Sequence, residues 1–279
     1  KIQKKIDLPI PFYRKNFLYK KDVKKYKKII CKPLNGSGSN NISLIKFLSK
    51  NIIKKGYLFE EFIEGKEYNI DGFYFEKKFY LYGIFEKKKI YKSYSVSYLL
   101  KSCSLSKKKI DKIIDNLNSF FKAIKYPNGP IHAEIIINKK NKQPLIVESH
   151  PREVGFDLYY NCLQKVTGLN LLKNKLNIII KKKIRPNELE SKNKFKFYCV
   201  RMIPIKKKGR IKKIGFSKIE KNKHVRIYTD LFVKQGDEVS YRKNDASRLG
   251  SITCLSNSVS NLEKFSKSIF NKNFKLKYY

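Results

Sequence analysis

The sequence predicts an α+β protein in which helices flank mostly antiparallel strands in at least two modules. Three observations support this prediction. Apolar segments patterned like strands follow one another across short polar turns, an amphipathic helix separates two groups of them, and a last run of strands ends in a capped helix. The 279 residues are enough for one large domain or two ordinary ones, and a hydrophobic content of 41% allows a packed core.

The first group of elements begins with a short strand at residues 28–32, which leads into a glycine-containing loop at residues 33–39. Residues 42–54 carry apolar side chains at helical spacing and predict a helix. A strand at residues 57–63 and a pair of aromatic-rich strands between residues 68 and 85 follow.

The second group begins with a predicted helix that Ser106 can cap and that extends to residue 124. A hairpin at residues 131–150 comes next. Strands dominate again over residues 195–255, and Ser260 with Glu263 predicts a capping box for the final helix.

The formal charge of +41 comes almost entirely from Lys, since only eight of the 64 basic residues are Arg. Such a charge is typical of proteins that bind nucleic acid or anionic membranes. The chain is also rich in Asn, Ile, Phe and Tyr, which share A- and T-rich codons with Lys, so a biased genome explains the excess. Lys is moreover the poorer residue for bidentate recognition. We therefore expect no specific nucleic-acid binding.

Five widely spread cysteines without a CxxC pair predict neither a zinc site nor a disulfide framework, and reduced thiols favour a cytoplasmic protein. No apolar run approaches the roughly 20 residues that span a bilayer, so no membrane association is expected. The chain opens with Lys1 as if in the middle of a domain, which predicts a fragment that lacks an N-terminal region.

The loop after the first strand is the first candidate site. Small residues let backbone N–H groups approach a phosphate, and Lys32 adds a positive charge beside Ser37, Gly38 and Ser39. The ammonium of Lys32 is expected to be exposed, because this residue lies at the edge of the loop. An ordinary glycine turn is the alternative interpretation.

The hairpin is the second candidate site. If its turn centres on Asn141, Glu134 faces Glu148 and His132 faces His150 on one side of the sheet. Opposed carboxylates destabilise a strand pair by about 0.2–1 kcal/mol, and a cation between them reverses that effect. Mg²⁺ suits such oxygen ligands. The alternative is a solvent-exposed sheet face on which the two glutamates and the two histidines have no common function. The opposite, core face would contain Ile131, Ala133, Ile135 and Ile137 against Leu145 and Val147.

Four segments, in this order, resemble the ATP-grasp superfamily. The segment Ile29–Ser39 is similar to the family's phosphate loop, and Leu58–Tyr68 is similar to its adenine and ribose strand. The segments Gly129–Glu134 and Val147–Arg152 are similar to its two metal-binding strands. The tail from Gly236 to Ser251 and the last helix is similar to the closing subdomain of the amino-acid ligase branch.

The resemblance implies a role for each matching residue. Lys32 and the backbone of Ser37, Gly38 and Ser39 would bind the ATP phosphates. Glu60 and Ile63 would meet adenine beside Glu61, and Glu67 would hold the ribose. The implied metal ligands, for Mg²⁺ or alternatively Mn²⁺, are Glu134, Glu148 and His150, the last standing where the family usually has Asn. Arg152 would orient the acyl phosphate or its carboxylate precursor, so Arg152 and Lys32 are the implied catalytic residues.

The resemblance also implies an ATP-grasp fold, with two α+β subdomains that clasp ATP and a C-terminal, mostly antiparallel β subdomain. The core would occupy residues 1–185, with a small lid at about 15–58 and a larger metal-binding part at about 59–185. Residues 186–279 would form the closing subdomain.

The implied activity is that of an ADP-forming carboxylate–amine ligase, which acts on small-molecule carboxylate and amine substrates. A homo-oligomer is left open. The alternatives are a carboxylase-type enzyme that activates bicarbonate and a basic binding protein without activity.

Overall fold

A computed structural model of the chain describes residues 2–35, 40–89, 97–155, 158–180, 184–241 and 247–279. In chain order, the strands are β1 (Tyr13–Leu18), β2 (Ile29–Pro33), β3 (Ser43–Ile45), β4 (Ile52–Glu61), β5 (Gly65–Phe75), β6 (Lys78–Lys89), β7 (Ser97–Ser102), β8 (Gly129–Asn138), β9 (Pro144–His150), β10 (Phe197–Pro204), β11 (Gly209–Phe216), β12 (Arg226–Leu231), β13 (Glu238–Val239), β14 (Arg248–Ser256) and β15 (Phe274–Tyr278).

The α-helices are α1 (Ile2–Lys5), α2 (Lys20–Tyr26), α3 (Lys107–Ala123), α4 (Gln164–Thr167), α5 (Leu171–Ile179) and α6 (Leu262–Asn273). A π-helical turn at Leu158–Leu163 precedes α4, and a 3₁₀ turn lies at Pro186–Glu188. Among the described residues, no helix is both long and apolar enough to cross a lipid bilayer.

The strands form three antiparallel sheets. A four-stranded sheet has the order β1-β4-β2-β3, an eight-stranded sheet has the order β12-β14-β10-β7-β6-β5-β8-β9, and a three-stranded sheet has the order β13-β11-β15. The predicted α+β class with mostly antiparallel strands is confirmed. The eight-stranded sheet combines strands from residues 65–150 with strands from residues 197–256. The subdomain boundary at residues 185/186 stays a prediction.

Helix α3 covers one face of the eight-stranded sheet. Its Ile113, Leu117 and Phe121 pack in one cluster with the alternate residues of β8 from Ile131 to Ile137. Because successive side chains of a strand point to opposite faces, His132 and Glu134 point away from this core. The burial of the helix against β8 therefore fixes which face carries the polar residues.

The hairpin of β8 and β9 departs from the expected core face. The register pairs Glu134 with Glu148 but Ile135 with Ile146, so a β-bulge lies at Val147. Ile146 packs against α3, whereas Leu145 lines the opposite side and Val147 is 37% exposed. The prediction that Leu145 and Val147 face the core is therefore wrong, because one extra residue in β9 shifts the alternation.

The bulge predicts unequal effects for two neighbouring substitutions. Ile146→Val should lower the free energy of unfolding by about 0.5–1.5 kcal/mol, because it removes a buried methylene group. Val147→Thr keeps the β-branched shape at a partly exposed site and should change it by less than about 0.5 kcal/mol. Urea unfolding of both variants measures the difference. A larger loss for Val147→Thr would contradict the observed register.

The predicted helix at residues 42–54 is wrong. Ser43–Ile45 instead pairs with β2, and Ile52 begins β4. The helically spaced Ile45, Leu48 and Ile52 are still packed against the core of the small sheet, but Ile45 and Ile52 lie in strands and Leu48 lies in the segment between them. Strand pairing thus overrides a helical pattern that rests on four apolar residues.

Three other predicted elements can be compared directly. The strand at residues 28–32 and the helix after Ser106 are confirmed as β2 and α3. Ser106 occupies the N-cap position of α3, but its side chain forms no capping hydrogen bond within the described residues. The Ser260–Glu263 capping box is wrong, because the side chain of Asn261 accepts the hydrogen bond of the Lys264 backbone N–H at 3.4 Å and begins α6. All five cysteines are free thiols.

Candidate functional site

A cleft with a volume of about 760 Å³ lies between the four-stranded and the eight-stranded sheet. One wall comes from β2, β4 and the segment after it, and the floor comes from β5, β6, β8 and β9. The sequence-predicted residues that line the cleft are Lys32, Glu60, Glu61, Ile63, Glu67, Glu134, Glu148, His150 and Arg152. The structure therefore brings residues from both sheets into one site.

The wall of the cleft contains the predicted phosphate-binding Lys32. Its ammonium lies 2.5 Å from Oε2 of Glu60, and its side chain is 22% exposed. The expectation of an exposed ammonium is therefore wrong, because Glu60 on the neighbouring strand β4 pairs with it. Ser37, Gly38 and Ser39 lie outside the described residues.

The floor contains the predicted pair of carboxylates. Glu134 lies directly opposite Glu148, and His132 lies opposite His150, as the sequence predicts. The two imidazole rings are stacked, with centroids 5.9 Å apart and planes inclined by 8°. The prediction that both carboxylates lie on facing strands, with their side chains on one face, is confirmed. Their reach to a common cation stays a prediction.

A lysine that the sequence analysis missed lies beside Glu134. Lys87 on β6 places its Nζ 2.8 Å from Oε2 of Glu134 and 3.7 Å from Oε2 of Glu67, and its side chain is 6% exposed. Lys89, two residues on, contacts the other oxygen of Glu67. The sequence contained one signal for these lysines. Alternate residues of a strand lie on one face, so a single face of β6 carries the aromatic Phe85 together with Lys87 and Lys89.

A buried ion pair supports the floor of the cleft from below. Nδ1 of His132 lies 2.8 Å from Oδ1 of Asp71, which is fully buried on β5. Burial alone would lower the pKa of His132, but the carboxylates of Asp71 and Glu134 outweigh it and raise this pKa to about 9. Burial likewise opposes ionisation of Glu134, but Lys87 and His132 lower the pKa of its carboxyl. Burial raises the pKa of the Asp71 carboxyl, although His132 opposes this shift, and the 2.8 Å contact between the two side chains favours an imidazolium paired with a carboxylate.

The floor of the cleft offers carboxylate oxygens to a divalent cation. Among the described residues, no three His, Cys, Asp or Glu side chains converge as a metal-binding group. Two facing carboxylates that line a cleft nevertheless suit Mg²⁺, which prefers oxygen ligands and shares its coordination with substrate phosphates. His150 fits less well, because its Nε2 is 3.2 Å from Oε1 of Glu148. Glu134 and Glu148 thus offer ligands of the type that Mg²⁺ prefers, although one oxygen of Glu134 is in contact with Lys87.

Arg152 follows β9 at the same edge of the cleft. Its Nη1 donates a hydrogen bond of 2.7 Å to the carbonyl oxygen of Glu153, which leaves other guanidinium N–H groups for a ligand. Its charge also acts on the buried Asp71. Arg152 can therefore present a fork of donors to an anionic group in the cleft.

A sequence model described as an ATP-grasp domain matches residues 40–158. No curated protein sequence matches the chain.

Several solved structures are similar to the whole chain. An L-amino acid ligase from Bacillus licheniformis superimposes with a TM-score of 0.78 at 17% identity, over 100% of this chain and 71% of that one. Phosphoribosylglycinamide synthetase from Anaerococcus prevotii gives 0.70 at 18% identity, over 100% and 72%. A biotin carboxylase–β-γ-ATP complex from Campylobacter jejuni gives 0.71 at 12% identity, over 99% and 65%. The predicted ATP-grasp fold is thereby confirmed.

Proposed function

We propose that this chain is an ATP-grasp enzyme and, more specifically, an ADP-forming ligase that joins a carboxylate to an amine. The observation that carries the proposal is the opposition of Glu134 and Glu148 in a cleft that also contains Lys32 and Arg152. Lys87 and the imidazolium of His132 balance the charge of Glu134 in this structure, and the two facing side chains also offer the carboxylate oxygens that Mg²⁺ prefers as ligands. A magnesium nucleotide supplies both the cation and a polyanion for the basic residues.

The proposed nucleotide site spans both walls of the cleft. Lys32 exchanges its contact with Glu60 for a phosphate oxygen, and the backbone of Ser37, Gly38 and Ser39 binds the phosphates beside it. Glu60 and Ile63 present backbone groups to adenine with Glu61 nearby, and Glu67 accepts hydrogen bonds from the ribose hydroxyls. Mg²⁺, or alternatively Mn²⁺, would be held by Glu134 and Glu148, with His150 beside them, and would neutralise phosphate charge when bound.

The proposed reaction has two steps. A carboxylate oxygen attacks the γ-phosphorus of ATP, the bond to the β,γ-bridging oxygen breaks, and ADP leaves. The amine nitrogen then attacks the acyl carbon, loses a proton, and phosphate leaves with the former carboxylate oxygen. Arg152 orients the carboxylate, and Lys32 holds the phosphate, so that the chain contributes positioning and charge stabilisation rather than covalent chemistry.

Substrate-dependent phosphate release tests this proposal. The protein is incubated with ATP, MgCl₂, a panel of amino acids as carboxylates and a panel of amines, and ADP, phosphate and amide product are measured. Release that requires both substrates supports the ligase. Release that requires bicarbonate instead would favour the carboxylase alternative, to which the biotin carboxylase match gives weight. No release, together with salt-sensitive binding to polyanions, would favour the inactive binding protein.

Lys32→Ala should weaken ATP binding without unfolding the protein. Loss of a charge-assisted phosphate contact should cost about 1.5–3 kcal/mol, or roughly ten- to hundred-fold in affinity. The lost ion pair with Glu60 is partly exposed and should cost less than about 1 kcal/mol in stability. Calorimetric ATP binding and thermal melting measure the two effects.

Lys28→Ala is the matched control for that substitution. Lys28 forms an equally short pair with Glu64, at 2.5 Å, but neither residue lines the cleft. The control should have the same melting temperature as Lys32→Ala and the same affinity for ATP as the wild type. Equal ATP affinity of the two variants would remove Lys32 from the nucleotide site.

A further inference from the structure

One face of the three-stranded sheet is basic. Side chains of β11 and β15 alternate between the core and this second face, which we call the outer face. On the core side, Ile211, Ile214 and Leu276 pack in one cluster with residues of α6. The outer face presents exposed cations from both strands and a tyrosine at its edge: Arg210, Lys212, Lys213, Lys275, Lys277 and Tyr279.

Neighbouring carboxylates do not balance the charge of the outer face. Lys213 lies directly opposite Lys277, and like charges in such positions repel each other. The three strands of this sheet carry one acid, Glu238, which lies opposite Arg210. Within the described residues, no ion pair joins any of the five cations to a carboxylate. The outer face therefore has an excess of positive charge.

The outer face is also open to solvent. Gly215, which lies opposite Lys275, would meet no atom within 4 Å if it carried a Cβ atom. Tyr279 is 73% exposed, and Nζ of Lys212 lies 5.5 Å from the centroid of its ring. Nε of Arg210 and Nζ of Lys275 each donate a hydrogen bond of 3.1 Å to a backbone carbonyl, and both groups have further N–H donors.

We propose that the outer face binds the phosphate backbone of single-stranded nucleic acid without regard to base sequence. Its cations form two rows along adjacent strands, and rows of Lys and Arg attract a chain of phosphates. The exposed ring of Tyr279 offers a surface on which one base can stack. This binding is separate from the ligase reaction, since none of these residues lines the cleft.

The composition of the outer face argues against two other anionic partners. No aliphatic side chain points outward from β11 or β15, both of which are described over their whole length. The centre of a protein–protein interface is apolar, and a protein that inserts into a membrane surface uses exposed side chains such as Leu and Phe. Cations around a single aromatic ring instead suit a chain of phosphates and bases.

Anisotropy of a labelled oligouridine RNA of about 20 nucleotides, between about 50 and 200 mM KCl, tests the proposal. Excess unlabelled MgATP is present, so that the cleft does not contribute. The outer-face variant combines Lys212→Gln, Lys213→Gln, Lys275→Gln and Lys277→Gln. Each lost phosphate contact should lower the slope of log K against log salt by about 0.7, so this variant should lose up to about 3.

Tyr279→Ala separates stacking from charge. Loss of one stacked base should weaken RNA binding about five-fold or more and leave the salt slope unchanged.

A second fourfold variant is the matched control, because it removes the same net charge from exposed positions of α3: Lys107→Gln, Lys108→Gln, Lys112→Gln and Lys122→Gln. It should keep the wild-type affinity and salt slope. Both fourfold variants should melt like the wild type and retain its phosphate release, so the result does not depend on the proposed ligase function.

Three outcomes overturn the proposal. Equal losses of RNA affinity in the two fourfold variants would show that binding follows the net charge of the chain rather than the outer face. Absence of RNA binding by the wild type at about 50 mM KCl would remove the ligand. Binding to phosphatidylglycerol vesicles that the outer-face variant loses, without binding to RNA, would assign this face to a membrane surface instead.

Discussion

Replacing either Glu134 or Glu148 by Gln should lower ATP-dependent phosphate release by more than about 100-fold. Each substitution removes one of two charged oxygen ligands proposed for the cation, and metal ions contribute several kcal/mol of charge stabilisation in such reactions. Gln keeps the shape and one oxygen, so the loss reports charge rather than packing. The measurement is phosphate release at saturating ATP across a range of MgCl₂ concentrations.

The same two substitutions should differ in their effect on stability. Glu134 is paired with the nearly buried ammonium of Lys87, whereas the side chain of Glu148 is 49% exposed. Glu134→Gln leaves that ammonium with a weaker partner and should cost about 1–3 kcal/mol. Glu148→Gln should change stability by less than about 0.5 kcal/mol. Chemical unfolding without nucleotide separates the two variants.

Glu64→Gln is the control for both measurements. Glu64 pairs with Lys28 outside the cleft, and its side chain is 54% exposed. It should leave turnover and its dependence on MgCl₂ unchanged. Wild-type turnover in Glu148→Gln would show that the opposed carboxylates do not serve the reaction, even if the protein binds ATP.

The register of the hairpin was predictable because it depends on residues that are close in sequence. An assumed turn at Asn141 was sufficient to place Glu134 opposite Glu148. The bulge at Val147 was not predictable, since an extra residue in a strand leaves no mark in the apolar pattern. It changed the core face without disturbing the pair of carboxylates.

The partners of Glu134 were harder to predict. Lys87 reaches it from β6, and Asp71 on β5 fixes its neighbour His132, so both contacts depend on the pairing of strands that are more than 45 residues apart in sequence. Alternation along one strand shows which face a residue occupies but not which strand lies beside it. Local motifs therefore predicted the candidate ligand residues of the site, but they did not predict the charged side chains that contact those residues.

The stability of the nucleotide-free protein should fall as the pH rises from about 6.5 to 9. His132 faces Asp71 from β5 and Glu134 from its own strand, with the ring of His150 stacked on it from β9 and Arg152 and Lys87 as the nearby cations. Its pKa in the folded protein is about 9, above the ordinary value of 6.5. A histidine whose pKa is higher in the folded than in the unfolded protein stabilises the folded state fully at pH values below its unfolded-state pKa. This stabilisation is lost as the pH rises through the folded-state pKa.

Such a difference in pKa corresponds to about 3 kcal/mol of free energy of unfolding. Asp71→Asn should remove much of this contribution, because it takes away the carboxylate that holds the imidazolium. The variant should therefore be less stable than the wild type at pH 6 and approach it at pH 9. Urea unfolding at pH 6, 7.5 and 9 measures both curves. Parallel curves for the two proteins would show that the Asp71–His132 pair does not titrate in this range, and a rise in wild-type stability toward pH 9 would contradict an imidazolium in the folded protein.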